Sequence, residues 1–127
     1  GLCGADMGAT YLLPRIVGLG HASELLFFGD VIDAARALEI NLINRLVADG
    51  EEAVRLATEW ANKLAQGPAF AHAMTKQMLE SEFGMTLGAA IEAEAQAQAL
   101  CMQHPDFGEA HAAFKEQRAP HFKGAPE

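Results

Sequence analysis

Apolar side chains recur along this chain at helical rather than strand spacing. Leu12, Leu13, Ile16 and Val17 fall on one side of a helix over 10–18, which Pro14 makes short or kinked and which Gly18 and Gly20 are placed to stop. A second helix over 21–28 turns Leu25, Leu26 and Phe28 toward a core and halts at Gly29. Asp33 reads as the N-cap of a third helix over 34–40, and Asn41 as its left-handed terminator. The run 42–47, Leu-Ile-Asn-Arg-Leu-Val, alternates well enough to predict one short strand.

Beyond the turn at Asp49 and Gly50 comes the clearest amphipathic pattern. Over 51–65, Val54, Ala57, Ala61 and Leu64 line one stripe, while Glu51, Glu52, Glu59 and Lys63 face water. Gly67 and Pro68 end that helix, and Pro68 opens the next, whose apolar side of Phe70, Ala73, Met74, Met78 and Leu79 runs until Gly84. Thr86 starts a long helix rich in Ala and Glu, with Ala89, Ala93, Ala97 and Leu100 on one face, to about Met102. His104-Pro105-Asp106 breaks it, and Asp106 is expected to N-cap a last helix carrying Ala110, Ala113 and Phe114 before a polar tail from Arg118. The expected fold class is mainly α: six or seven helices and one short strand, with residues 1–127 forming a single helical domain.

Composition narrows the function classes. With 127 residues, half of them hydrophobic, the chain can bury one core. A net charge of −8 disfavours nucleic acid, whose phosphates need Lys and Arg. Cys3 and Cys101 form no Cys-x-x-Cys pair, which fits a reducing, cytoplasmic compartment. No apolar run is long enough to span a membrane, and no basic segment leads an apolar one at the N-terminus. The chain opens on Gly1 rather than an initiator Met, as a processed chain or a piece of a longer one would. The five histidines show neither His-x-His nor His-Glu-x-x-His spacing, so no metal site is expected. Ser23 and Ser81 lie outside any Gly-x-Ser-x-Gly elbow.

The residue that points most strongly to chemistry is Asp6, in the small-residue stretch Gly4-Ala5-Asp6-Met7-Gly8-Ala9-Thr10, where backbone and ligand can approach closely. Two readings stand open for it: an N-cap of the first helix, or a catalytic acid, base or nucleophile.

The run Asp6-x-Gly8-x-Thr10-x-x-Leu13-Pro14-Arg15-x-x-Gly18 resembles a segment of the crotonase (enoyl-CoA hydratase/isomerase) family that borders the reacting carbons of the thioester. The likeness continues through Ala22-x-Glu24-Leu25-Leu26-x-x-Gly29 and Ile32-x-Ala34-x-x-Ala37, with Asn41 in place of a usual Gly, to Glu109-Ala110-x-Ala112-Ala113-Phe114-x-x-Gln117-Arg118-x-Pro120-x-Phe122. The resemblance implies the C-terminal helical region of a crotonase subunit. Residues 1–47 would border the active site, and 48–127 would form an assembly region with a CoA-proximal tail. The family's N-terminal half of ββα repeats, which supplies the oxyanion-hole amides, has no counterpart in these residues.

The same likeness implies that Asp6 sits where the dienoyl-CoA isomerase and 4-chlorobenzoyl-CoA dehalogenase branches carry a working aspartate. It places Phe114 and Phe122 near CoA, and it puts Gln117 where the family has a Lys, so Lys115, Arg118 or Lys123 must supply the cation for the CoA phosphates. Phe114 has a second reading as ordinary core packing. No cofactor is implied beyond the CoA of an acyl-CoA substrate. A homo-oligomer, a trimer in the family, is expected. Two functions follow: a portion of a CoA-thioester hydratase or isomerase that is inactive alone, or a stand-alone helical assembly module. A small-molecule pocket among the helices, without chemistry, is a third.

Overall fold

Two consecutive left-handed residues, Met7 at φ 47° and Gly8 at φ 87°, swing the N-terminal segment into the first helix in the computed structural model, which describes residues 1–122. Helix α1, Ala9–Phe28, is broken at Gly18 (φ 80°, ψ 160°), a conformation open to glycine and hostile to side chains. The two predicted helices are therefore the two arms of one bent element. Gly29 caps it through an N–H donated to the Leu25 carbonyl. Asp33 caps α2, Ala34–Glu39, as expected, its Oδ1 accepting the Arg36 N–H at 2.8 Å. Asn41 takes the left-handed conformation, at φ 61°.

The described residues divide into two compact units, Gly1–Ala53 and a second that begins at Val54. In the first, Val17, Ala22 and Ile40 form the core, with Leu13, Leu25, Ile32 and Leu42 packed around them. Arg36 ties the two helices together, reaching Glu39 at 2.7 Å and lying 3.9 Å from Glu24 of α1. The strand predicted over 42–47 does not form, and no strand occurs among the described residues. Alternation supplies a face but not a partner: a strand exists only when its N–H and C=O groups pair laterally, and no second extended segment is available.

Helix α3, Gly50–Ala65, opens with a reciprocal cap. Asp49 Oδ1 accepts the Glu52 N–H at 2.8 Å, and Glu52 Oε2 accepts the Ala48 N–H at 3.2 Å. The second unit continues with α4, Ala69–Ser81, a 3-10 turn at Glu82–Gly84, α5, Leu87–Gln103, and α6, Pro105–Glu116. Thr86 caps α5 by accepting the Ala89 N–H. Helix α5 packs against both α4 and α6 and buries Ala97.

The cap of α6 differs from expectation. His104 holds that position, its Nδ1 accepting the Asp106 N–H at 3.3 Å, while Asp106 lies inside the first turn and is only 6% exposed. Pro105 explains the shift, since a proline suits the first helical position and leaves the preceding residue as the cap.

Losing the cap of a helix as short as α2 leaves little to hold it. Asp33→Ala is expected to destabilise the first unit by about 1 kcal/mol, whereas Asp33→Asn stays near wild type. The urea midpoint followed by far-ultraviolet circular dichroism checks this.

Candidate functional site

In the first unit the N-terminal segment lies along α1 and encloses an apolar cleft of about 480 Å³, walled by Leu2, Cys3, Thr10, Pro14, Leu26 and Phe27 among others. The close approach depends on Gly4: a Cβ there would stand 2.7 Å from the Leu26 carbonyl oxygen and 3.2 Å from the Leu26 Cβ. Asp6 follows Ala5, which lines the cleft, and precedes the left-handed pair Met7-Gly8. Its carbonyl accepts the Ala9 N–H at 2.8 Å, and its side chain is exposed.

Asp6 is not the N-cap of α1. Gly8 holds that position and no side chain caps it, because the left-handed turn at residues 7 and 8 carries the carboxylate away from the helix start. Left-handed Met7 costs about 1 kcal/mol, strain that the packed segment must hold in place right beside the carboxylate.

The remaining candidates lie in the second unit. Phe114 is 83% exposed, so its reading as core packing is overturned: the α6 residue that turns inward is its neighbour Ala113, which is buried. Lys115, in the last turn, is exposed and makes no ion pair with the described residues. Gln117 adopts the left-handed C-terminal position at φ 54°, with the Arg118 N–H returning to the Ala113 carbonyl at 3.1 Å.

Arg118 is held by two carboxylates. Its Nη1 and Nη2 reach Glu109 Oε1 and Oε2 at 2.6 and 3.1 Å, and its Nε reaches Glu116 at 2.7 Å. Glu109 also accepts the His121 N–H at 2.7 Å, so one carboxylate fastens the tail at two points. The Arg118 hydrogen bonds first, and the His121 N–H second, pull the Glu109 pKa from 4.5 down to about 2. The carboxylates push Arg118 upward in turn. Lys123 lies outside the described residues.

Thus fastened, Phe122 folds back as part of the wall of a cavity of about 220 Å³ shared with Phe70, Cys101, His104, Asp106 and Phe107. The His104 ring stacks on Phe70 with centroids 4.6 Å apart and planes 3° from parallel, and its Nδ1 lies 3.3 Å from Asp106 Oδ2. Neither the Glu109 clamp nor the buried Asp106 follows from spacing in the sequence, since the clamp joins residues on either side of a helix end. Among the described residues no group of three or more His, Cys, Asp or Glu side chains gathers where it could hold a metal.

A helical region carrying a small-residue turn, an apolar cleft and a terminal helix with a folded-back tail defines a class that comparison with known proteins identifies. Residues 2–125 match the family Enoyl-CoA hydratase/isomerase, and the chain belongs to it. It is 34% identical over 119 residues to the 1,2-epoxyphenylacetyl-CoA isomerase of Escherichia coli, covering 94% of this chain and 45% of that protein. Against the short-chain-enoyl-CoA hydratase of Clostridium acetobutylicum it is 33% identical over 111 residues, 87% of this chain and 42% of that one. The crystal structure of a candidate enoyl-CoA hydratase from Streptomyces coelicolor A3(2) superposes with a TM-score of 0.93 at 52% identity, covering 98% of this chain and 45% of that one. The chain thus spans about half the length of the relatives it matches, and the fold is the helical part of a crotonase fold.

The clamp has a pH signature. Because the folded pKa of Glu109 lies below its free value, its contribution is fully present above about pH 4.5 and is lost as pH falls through about 2. The His121 amide resonance should follow this titration with a midpoint well below 4.5, and Glu109→Gln should abolish the transition while freeing Phe122. A midpoint at 4.5 would show that the clamp is open in solution.

Proposed function

We propose that this chain is the C-terminal portion of a CoA-thioester hydratase or isomerase, catalytically silent without a half that supplies the oxyanion hole. The observation that carries this reading is the cleft of the first unit: apolar walls suited to an acyl chain, with one exposed carboxylate, Asp6, beside them on a strained turn. Asp6 has no capping duty, which leaves it available as a proton-transfer group. Removing a single oxyanion donor typically costs about 10²–10³ in rate, so a chain without either donor has no useful turnover.

Toward CoA, the cation role passes to Lys115 and Lys123, because Arg118 is already engaged by Glu109 and Glu116. Arg118 then acts by holding the tail in shape, and Phe114 offers an outward ring to an adenine. The relatives include both a hydratase and an isomerase, so membership of the family leaves the reaction branch open between the two.

A specific observation also favours self-association, on this reading or on that of a helical assembly module. Half the residues are hydrophobic, yet the buried apolar ones among the described residues are Val17, Ile40 and four alanines, while Val54, Leu64, Leu79 and Ile91 stand exposed. Apolar area of this kind calls for a covering partner, and a second copy of the chain is the proposed one.

The test is a chimera joining the upstream half of the Streptomyces coelicolor relative to this chain. It should turn over an enoyl-CoA such as crotonyl-CoA, and the isolated chain should not. In the chimera, Asp6→Asn should lower kcat by about 10²–10⁴-fold while leaving the urea midpoint unchanged. Turnover by the isolated chain would refute the silent-portion reading, and full activity of the Asn variant would remove Asp6 from the mechanism.

A further inference from the structure

The cavity behind the folded-back tail has a carboxylate in its wall and no basic side chain to match it. Phe70, Phe107 and Phe122 help to enclose a space of about 220 Å³, Asp106 lines it with them, and among the described residues no lysine or arginine does. The Asp106 side chain is 8% exposed, so little bulk water reaches its carboxylate and the cavity is the side from which a donor can approach. The positive end of the α6 dipole favours a negative charge at this point, yet no N–H of the first turn is donated to it.

The one neighbour able to donate is already committed. His104 Nδ1 stands 3.3 Å from Asp106 Oδ2 and also 3.3 Å from the Asp106 backbone nitrogen. One ring nitrogen cannot serve both. With its proton on Nε2, the imidazole accepts the Asp106 N–H, caps α6 and turns a lone pair toward the carboxylate. With a proton on Nδ1 it donates to the carboxylate and gives up the cap. Stacking on Phe70 holds the ring where it is, so Asp106 is left with either its N–H or its carboxylate short of a partner.

A donor from outside the chain resolves this, and the surroundings select a positive one. Aromatic faces attract cations, more strongly once both have left water, and a carboxylate takes an ammonium N–H as a short, charge-assisted bond. The net charge of −8 draws cations toward the chain and repels anions. A metal ion does not suit the wall, because no group of three or more His, Cys, Asp or Glu side chains gathers there among the described residues. Size sets the rest: an apolar cavity of about 150 Å³ holds benzene, so the larger space here admits a ring with one carbon and an ammonium attached.

We propose that this cavity binds a small organic ammonium ion, which donates an N–H to the Asp106 carboxylate and lays its apolar body against Phe70, Phe107 and Phe122. His104 is then free to keep its cap on α6. Neither an acyl-CoA nor a second copy of the chain is needed for it.

The nitrogen-15-labelled chain is titrated with benzylammonium chloride and, separately, with benzyl alcohol, a neutral molecule of the same shape, and followed by amide resonances. Benzylammonium is expected to give saturable shifts at Phe70, Asp106 and Phe122 and to bind at least about tenfold more tightly than the alcohol. Asp106→Asn should remove that preference, so that the two ligands bind alike, and Phe122→Ala, beyond the helices, should weaken both. The comparison of the two ligands on the unaltered chain decides the matter even where the Asp106 variant fails to fold. Equal binding of alcohol and ammonium, no saturable shift, or shifts spread over the acidic surface instead of the cavity would each overturn the site.

Discussion

Burial of apolar surface is the constraint on which the rest of this molecule depends, and the chain meets it only in part. The residues it removes from water are mostly small, Ala22, Ala37, Ala97 and Ala113, and these let helix backbones come close. Beyond Val17 and Ile40, many of its larger apolar groups, Val54, Leu64, Leu79 and Ile91 among them, remain exposed. Since each buried methylene contributes about 0.8 kcal/mol, moving Leu, Ile and Val side chains from solvent to an interface represents a large reserve of stabilisation. A helical region built this way is stable in proportion to what is laid against it, as expected of a family in which it makes up about half of a longer protein.

The charges of the second unit are arranged on the same economy. Glu109 serves Arg118 and a backbone N–H at once, so one carboxylate shapes the whole turn after α6. A guanidinium with fork geometry suits that task, and a lysine ammonium would not hold both oxygens of Glu109. The consequence reaches function through position rather than contact: the chain leaves α6 in one direction, Phe122 is returned to the aromatic cavity, and Phe114 and Lys115 are left facing out.

Much of the fold was legible because helix punctuation is local chemistry. Asp33, Asn41 and Thr86 do what short polar side chains do at helix ends, and Gly18 breaks α1 where the apolar pattern is interrupted. The misreadings came where the deciding group lay elsewhere. Residues 42–47 alternate like a strand but have nothing to pair with. Pro105 moved the α6 cap back to His104, and the turn at Met7 took Asp6 out of capping range. The family was legible in Asp6 to Gly18 and in Phe114 to Phe122, yet the tie from Glu109 to Arg118 was not, because it crosses a helix end that sequence periodicity cannot follow.

The smallest residue of the cleft has the longest reach. Sliding the N-terminal segment by one position would bring the β-carbon of Cys3 or Ala5 against the Leu26 carbonyl, where only hydrogen now fits. The segment therefore has a single register on α1, and the address of the carboxylate two residues later is written by an atom that position 4 does not possess.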